Sequence, residues 1–239
     1  MNCTNCNTEV NSKFCPECGQ PASLKRIDAH YIIHEIEHIL HFERGILYTI
    51  KELIIRPGQN VRNYLSINRS RLVKPIIFVI VTSLIYTITI NFFEIKEQYV
   101  SIDGEGAMLS TPMKIFTWIQ AHYGYANIIM GIFIAFWTKI FFRKHKFNFF
   151  EILILICFVI GISMLIFSLF GVLAGLTNLK INQVGGIIGV LYCSWAIGQF
   201  FGKDKITNYL KAFFAYILGL ITFTSLALLF GILIDLILK

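Results

Sequence analysis

The sequence predicts an all-α integral membrane protein, with about five transmembrane helices behind a polar N-terminal segment. Three observations point there. Hydrophobic residues make up 56% of the 239 residues and charged residues only 15%, where a soluble domain carries roughly 25% charged residues. The mean hydropathy is +0.66. Long apolar runs recur from Pro75 onward. One soluble core of this size cannot hide so much apolar surface, which excludes an ordinary cytosolic enzyme. Intrinsic disorder needs the opposite balance and is excluded too.

A helix crosses a bilayer with about 20 mostly apolar residues. Five stretches qualify: 75–93, 125–142, 150–177, 184–201 and 210–238. Gly185, Gly186, Gly189 and Gly198 make the fourth the weakest helix, although Gly is more frequent in membrane helices than in soluble ones. Gly185 with Gly189, and Gly171 with Gly175, have the small-xxx-small spacing of helix-packing faces. Cys157 and Cys193 fall inside spans and read as small packing residues.

Basic residues set the orientation. Lys51, Arg56, Arg62, Arg69, Arg71 and Lys74 crowd the approach to the first span, whereas the next loop holds Lys96 and Lys114 against four acids. Arg143, Lys144 and Lys146 follow, then Lys180 alone, then Lys203, Lys205 and Lys211. Basic and non-basic loops alternate, so the positive-inside rule puts the N-terminus in the cytosol and the C-terminus outside. The net charge of +7 then belongs to one face, where anionic lipid head groups are its simplest partner. Nucleic acid is disfavoured, because basic residues beside spans need no such partner. The first 25 residues hold four cysteines and no apolar core of a signal peptide, so the first span serves as its own insertion signal. Abundant Ile, Phe, Lys and Asn suit an AT-rich bacterial genome, and with it the bacterial inner membrane.

Residues 1–22 carry Cys3, Cys6, Cys15 and Cys18 in the pattern C-x2-C-x8-C-x2-C. Each C-x2-C turn lets two thiolates face one centre, and two such turns close a tetrahedron. Zn²⁺ favours that geometry and one ion per chain would be structural, since four sulfurs leave no open position. Iron in an S4 site is an alternative. A disulfide pair suits the reducing cytosol poorly. So short a segment has almost no core, and metal binding would supply its folding energy. The run NCTNCNTEVNSKFCPECGQP closely resembles the short zinc-ribbon heads of many bacterial membrane proteins, chiefly through Phe14-Cys15-Pro16-Glu17-Cys18-Gly19. Asn7 departs from the Gly usual after the first knuckle, but Asn also tolerates the left-handed conformation.

Residues 23–74 read as an amphipathic His-rich helix and a basic hinge. The helix is expected over 27–55, with His30, His34, His38 and His41 within a stripe about 80° wide at 100° per residue. His34-Glu35-Ile36-Glu37-His38 spells H-E-x-x-H, which would place two zinc ligands and the general base Glu35 on one helix face. A metallopeptidase also needs a third ligand, and Glu151, Asp204 and Asp235 are scattered candidates. The competing readings are a non-catalytic metal or pH-sensing patch at His34 and His38, and a solvated polar face.

Arg56-Pro57-Gly58 should stop that helix. Arg56, Arg62, Arg69, Arg71 and Lys74 then offer contacts to anionic lipid, with Arg and Tyr64 snorkelling at the interface. The order is a ribbon ending FCPECGQ, then Tyr48 to Leu53, RPG, Arg62-Asn63-Tyr64-Leu65, and Lys74-Pro75 before a span. This resembles a bacterial family of zinc-ribbon multi-span membrane proteins catalogued as a domain of unknown function. Phe142-Arg143, Phe147 to Glu151, and Tyr192 to Gly202 extend the likeness, while Ser66 to Arg69 and Ile152 depart from it. The resemblance implies no established activity.

Three function classes follow. The first is a non-enzymatic interaction, regulatory or scaffold protein, whose cytosolic ribbon grips a protein partner or a second copy. A transporter or channel component is the second, although the spans are nearly bare of ionisable groups. The metallopeptidase is the third. The first demands nothing that is missing, with 75–239 as its transmembrane helical domain.

Overall fold

The computed structural model describes residues 2, 3, 6–9, 11, 14–19, 45–93, 111–177 and 181–237. The chain divides into two compact units, Met1–Glu43 and Arg44–Lys239. In the first, the described residues form two cysteine turns and an antiparallel bridge between Asn2 and Glu9. The described residues of the second form eight helices and no strand. They are α1 (Ile46–Ile55), α2 (Pro57–Ser66), α3 (Pro75–Phe92), α4 (Thr111–Ala121), α5 (Tyr123–Phe141), α6 (Phe149–Thr177), α7 (Asn182–Phe201) and α8 (Ile206–Ile237).

Four of these, α3, α6, α7 and α8, are long and apolar enough to cross a membrane. They match the first, third, fourth and fifth predicted spans. The second prediction, 125–142, falls on α5, whose described apolar run is the shorter Ala126–Phe141. At 1.5 Å per residue such a run covers about 24 Å, short of the roughly 30 Å of a typical hydrocarbon core.

The helix expected over 27–55 ends at Ile55 as anticipated, but its described part begins only at Ile46. Gly45 sits at φ 61°, a left-handed conformation that no helix continues through, so the stretch is not one unbroken helix. At Arg56 the chain turns, and Pro57 starts α2 at once as its first residue. Proline suits that position because its missing N–H would have no intrahelical partner there.

Helix α6 lies at the centre, packed against α3, α5 and α7. Ile152, Leu155, Ile156, Phe158, Val159, Ile160 and Ile162 are all buried in it. A helix apolar on every side is one that neighbours enclose on every side. Helix α8 packs against α4, α5 and α7. The outer faces of α3, α7 and α8 expose Ile80, Leu84, Ile187, Leu191, Leu229 and Leu233, which lipid solvates as readily as protein does. The Gly185–Gly189 face packs as expected. A Cβ at Gly185 would lie 2.7 Å from Phe170, and one at Gly189 2.4 Å from Phe167. Small residues let α6 and α7 approach that closely.

The unit has two distinct ends. At one, Phe142 stacks on Phe201 with ring centroids 3.9 Å apart, and Gly58 abuts the backbone of Gln199 and Phe200. At the other, the Asp235 carboxylate of α8 accepts hydrogen bonds from the Thr111 backbone N–H at 3.1 and 3.2 Å and from its hydroxyl. Helices α4 and α5 therefore carry the chain from one end to the other. The first end holds the hinge cations, Arg143, Lys144, Lys146, Lys203, Lys205 and Lys211, whereas Lys114 is the described cation of the second.

Candidate functional site

Two features carry chemistry: the thiol cluster of the N-terminal unit, and the hinge docked on the helical unit. Each is built from local backbone rules.

The two C-x2-C turns are the same turn made twice. The Asn7 N–H donates to the Cys3 carbonyl at 2.9 Å, and the Gly19 N–H donates to the Cys15 carbonyl at 2.9 Å. The residue after each second cysteine is left-handed, Asn7 at φ 62° and Gly19 at φ 71°. Asn is the residue besides Gly that adopts this conformation most readily, so the departure at Asn7 leaves the knuckle intact. The four Sγ atoms lie within 4.8 Å of one another. Cys3 and Cys18, Cys6 and Cys15, and Cys6 and Cys18 stand 3.5 Å apart. Four sulfurs each about 2.3 Å from one ion would be about 3.8 Å apart. The donor set therefore fits a tetrahedral metal, and the four thiols form a group that could hold one.

Electrostatics within the cluster points the same way. The Thr8 hydroxyl and backbone N–H hold the Cys6 thiol down at about 6. At Cys15 the Cys18 backbone N–H favours the thiolate, but desolvation and the hydrogen bonds with Cys6 and Cys18 outweigh it and push the thiol up to about 11. Crowded thiols cannot all ionise on their own, whereas a cation at their centre favours every thiolate.

The hinge is held by polar contacts to α7. The Gly58 N–H donates to Gln199 Oε1 at 2.8 Å, and Arg62 Nη2 donates to the Gln199 carbonyl at 2.7 Å. The Tyr192 hydroxyl donates to the Leu53 carbonyl at 3.0 Å, satisfying a carbonyl at the end of α1. Asn60 Nδ2 donates to the Glu52 carbonyl at 2.8 Å across the kink, a second bond on a carbonyl that already accepts the Arg56 N–H. The segment after α2 folds back on α1: the Val73 N–H donates to Thr49 Oγ1 at 3.1 Å, and Arg71 reaches the Tyr48 hydroxyl at 2.9 Å and Glu52 at 3.4 Å.

The five predicted hinge cations thus separate. Arg56, Arg69 and Lys74 are exposed. Arg71 is exposed but committed to Glu52 and Tyr48, and Arg62 is half-buried against α7. Tyr64 is not an interfacial anchor: it is 7% exposed, with its ring 5.3 Å from that of Phe158. The amphipathic turn of α2 points it inward to the core.

Of the other sequence candidates, Glu35, His34 and His38 lie outside the described residues, as do His30 and His41. Glu151 is a helix cap. Its N–H donates to Asn148 Oδ1 at 2.9 Å, while the Asn148 N–H donates to its carboxylate at 2.7 Å, the reciprocal pattern of a capping box. Asn148-Phe149-Phe150-Glu151 carries that signal in the sequence. Asp235 is engaged with Thr111, and Asp204 is exposed. Sequence reasoning missed Gln199, for which a polar amide inside an apolar span was the available signal, and read Gly58 as a turn residue, whereas it sits in the first turn of α2 against the backbone of Gln199 and Phe200. Cys157 and Cys193 are buried, as packing residues should be.

No curated protein and no solved structure matches the chain. Residues 43–87 match the model of a family described as "Protein of unknown function (DUF3667)", a stretch that holds α1, α2 and the first part of α3, so the part of this chain that carries a domain of unknown function is the docked hinge and the span it leads into.

Proposed function

We propose that the chain is a non-enzymatic multi-span membrane protein whose N-terminal zinc ribbon serves an interaction, regulatory or scaffold role. The observation that carries the reading is the cluster of four thiols on two matching turns. Cys3, Cys6, Cys15 and Cys18 would hold one Zn²⁺, which would supply folding energy to a head with almost no core. With no open position, the ion has no catalytic role, and the ribbon is left as a surface for a protein partner or a second copy.

In the bilayer, α5 joins α3, α6, α7 and α8 as a fifth crossing. Its support is the path of the chain from Asp235's end to Phe201's end between Thr111 and Phe142. The cation-rich end faces the cytosol of a bacterial cell, against anionic head groups, and the N-terminus lies on the cytosolic side of the membrane. The engagement of Glu151 and Asp235 in hydrogen bonds within the fold takes two third-ligand candidates from the peptidase reading.

The test is zinc content per chain, by elemental analysis of detergent-purified protein, for the wild type and for Cys15→Ser with Cys18→Ser. One zinc in the wild type and none in the variant is the expected result. Iron in its place would overturn the zinc assignment. A metal retained by the variant but lost in His34→Ala would move the site to the histidine helix.

A further inference from the structure

Beyond the hinge, three cations and a histidine from four separate segments lie at the same end of the helical unit. Arg62 comes from α2, His145 from the α5–α6 turn, Lys205 from the α7–α8 turn and Lys211 from the first turns of α8. His145 is half-buried, with its ring 5.1 Å from Phe201 and 5.8 Å from Phe142. The Arg62 guanidinium lies 5.9 Å from the Phe200 ring centroid. The guanidinium and the imidazole thus meet on adjacent aromatic residues at the end of α7. Desolvation first, and then the charges of Lys211, Arg62 and Lys205, disfavour protonation of His145, which therefore offers an anion the N–H of a neutral imidazole.

The anion nearest in the chain is the exposed Asp204 beside Lys205, and it forms no ion pair among the described residues. The one ion pair among the described residues is Arg71 with Glu52, which belongs to α1 and the segment after α2. Arg62 spends Nη2 on the Gln199 carbonyl, while its buried Nε has no hydrogen-bond partner among the described residues. The amino end of α8 begins directly after Lys205 and adds the positive end of a 32-residue helix, a favourable place for an anion. Like charges at one end repel one another, and a bound anion would relieve that repulsion.

We propose that Arg62, His145, Lys205 and Lys211 form a binding site for a phosphate-bearing anion. The phosphate group is the common element of a phospholipid head group and a soluble anion. Of the five hinge cations, only Arg62 takes part. The site rests on the membrane reading of the helical unit and is independent of the metal in the ribbon.

The experiment is a thermal-unfolding titration of the detergent-purified full chain with short-chain phosphatidylglycerol, short-chain phosphatidylcholine and inorganic phosphate. Exposed Lys205 and Lys211 permit a double variant, Lys205→Gln with Lys211→Gln, that leaves the packing untouched. Arg69→Gln with Lys74→Gln is the control, removing the same charge from the same end. The expected result is a saturable upward shift with phosphatidylglycerol, weakened about tenfold or more in the Lys205/Lys211 variant, a loss of at least ~1.4 kcal/mol, and kept in the control. Inorganic phosphate producing the same residue-dependent shift would assign the site to a soluble anion instead of a lipid. Equal weakening in both double variants, or a shift with no saturation, would mean diffuse surface charge and would overturn the site. So would equal stabilisation by phosphatidylcholine and no response to phosphate.

Discussion

At Gly58 a single missing side chain lets two helices touch. It stands at the start of α2, where a Cβ would lie 2.4 Å from the Phe200 nitrogen and 2.5 Å from the Gln199 carbonyl carbon. Both obstacles are backbone atoms, which cannot step aside as a side-chain tip can. Helix propensity alone would make Gly58→Ala stabilising by up to about 1 kcal/mol. The clash decides the sign, and the substitution should destabilise by about 1–3 kcal/mol, read as a lowered thermal midpoint in detergent. His145 makes a second residue-scale prediction. Desolvation comes first, then the charges of Lys211, Arg62 and Lys205, and together they hold its imidazole below the usual histidine range. The folded state therefore binds its proton less readily than the unfolded chain does. Its contribution to stability is present above about pH 6.5 and is lost as the pH falls through the lowered value. In buffer without phosphate, His145→Gln should flatten that part of the pH profile of the thermal midpoint. An unchanged slope would show that the field at His145 is screened.

At the scale of elements, helix ends are settled by local chemistry and helix faces by neighbours. The start of α6 is written in Asn148 and Glu151, whose reciprocal hydrogen bonds satisfy amide groups that the helix itself leaves open. Asn148→Ala should cost about 1 kcal/mol, measured as a drop in thermal midpoint with unchanged helical circular dichroism. The bounds of α3, α6, α7 and α8 were legible for the same reason: long apolar runs bounded by charge or Pro stop where the bilayer stops. Gly45 was harder to read. A glycine within a helical pattern is often merely tolerated, and only its φ of 61° shows that the helix begins there. The place of α2 could not be read at all from periodicity, because Tyr64 and Arg62 look like interfacial anchors until α6 and α7 are brought against them.

Across the helical unit as a whole, the described cations gather toward one end, and the number of crossings fixes what that means. With α5 as a fifth crossing the two termini lie on opposite sides of the membrane; with four they share a side. Reporter fusions at Met1 and Lys239, scored for cytosolic or external activity, should give opposite answers. Agreement between the two would remove α5 as a span and leave it as a helix packed within the bundle against α6 and α8. Charge reversal of Arg143, Lys144 and Lys146 should weaken the orientation, because the positive-inside rule counts cations in short loops.

What the sequence determined by itself is whatever depends on residue type at fixed spacing. The four thiols at C-x2-C intervals, the apolar runs, and the alternation of basic loops are properties of a one-dimensional pattern, and local geometry realises them with little help. What only the tertiary structure decided is which residues from distant segments share a place. Gln199 meets Gly58 and Arg62 across more than 130 positions of chain, and His145 of the α5–α6 turn meets Phe201 at the end of α7. Such juxtapositions depend on how helices cross and which faces they bury. Those are set by side-chain packing over the whole unit, a sum over many weak contacts that no short motif encodes.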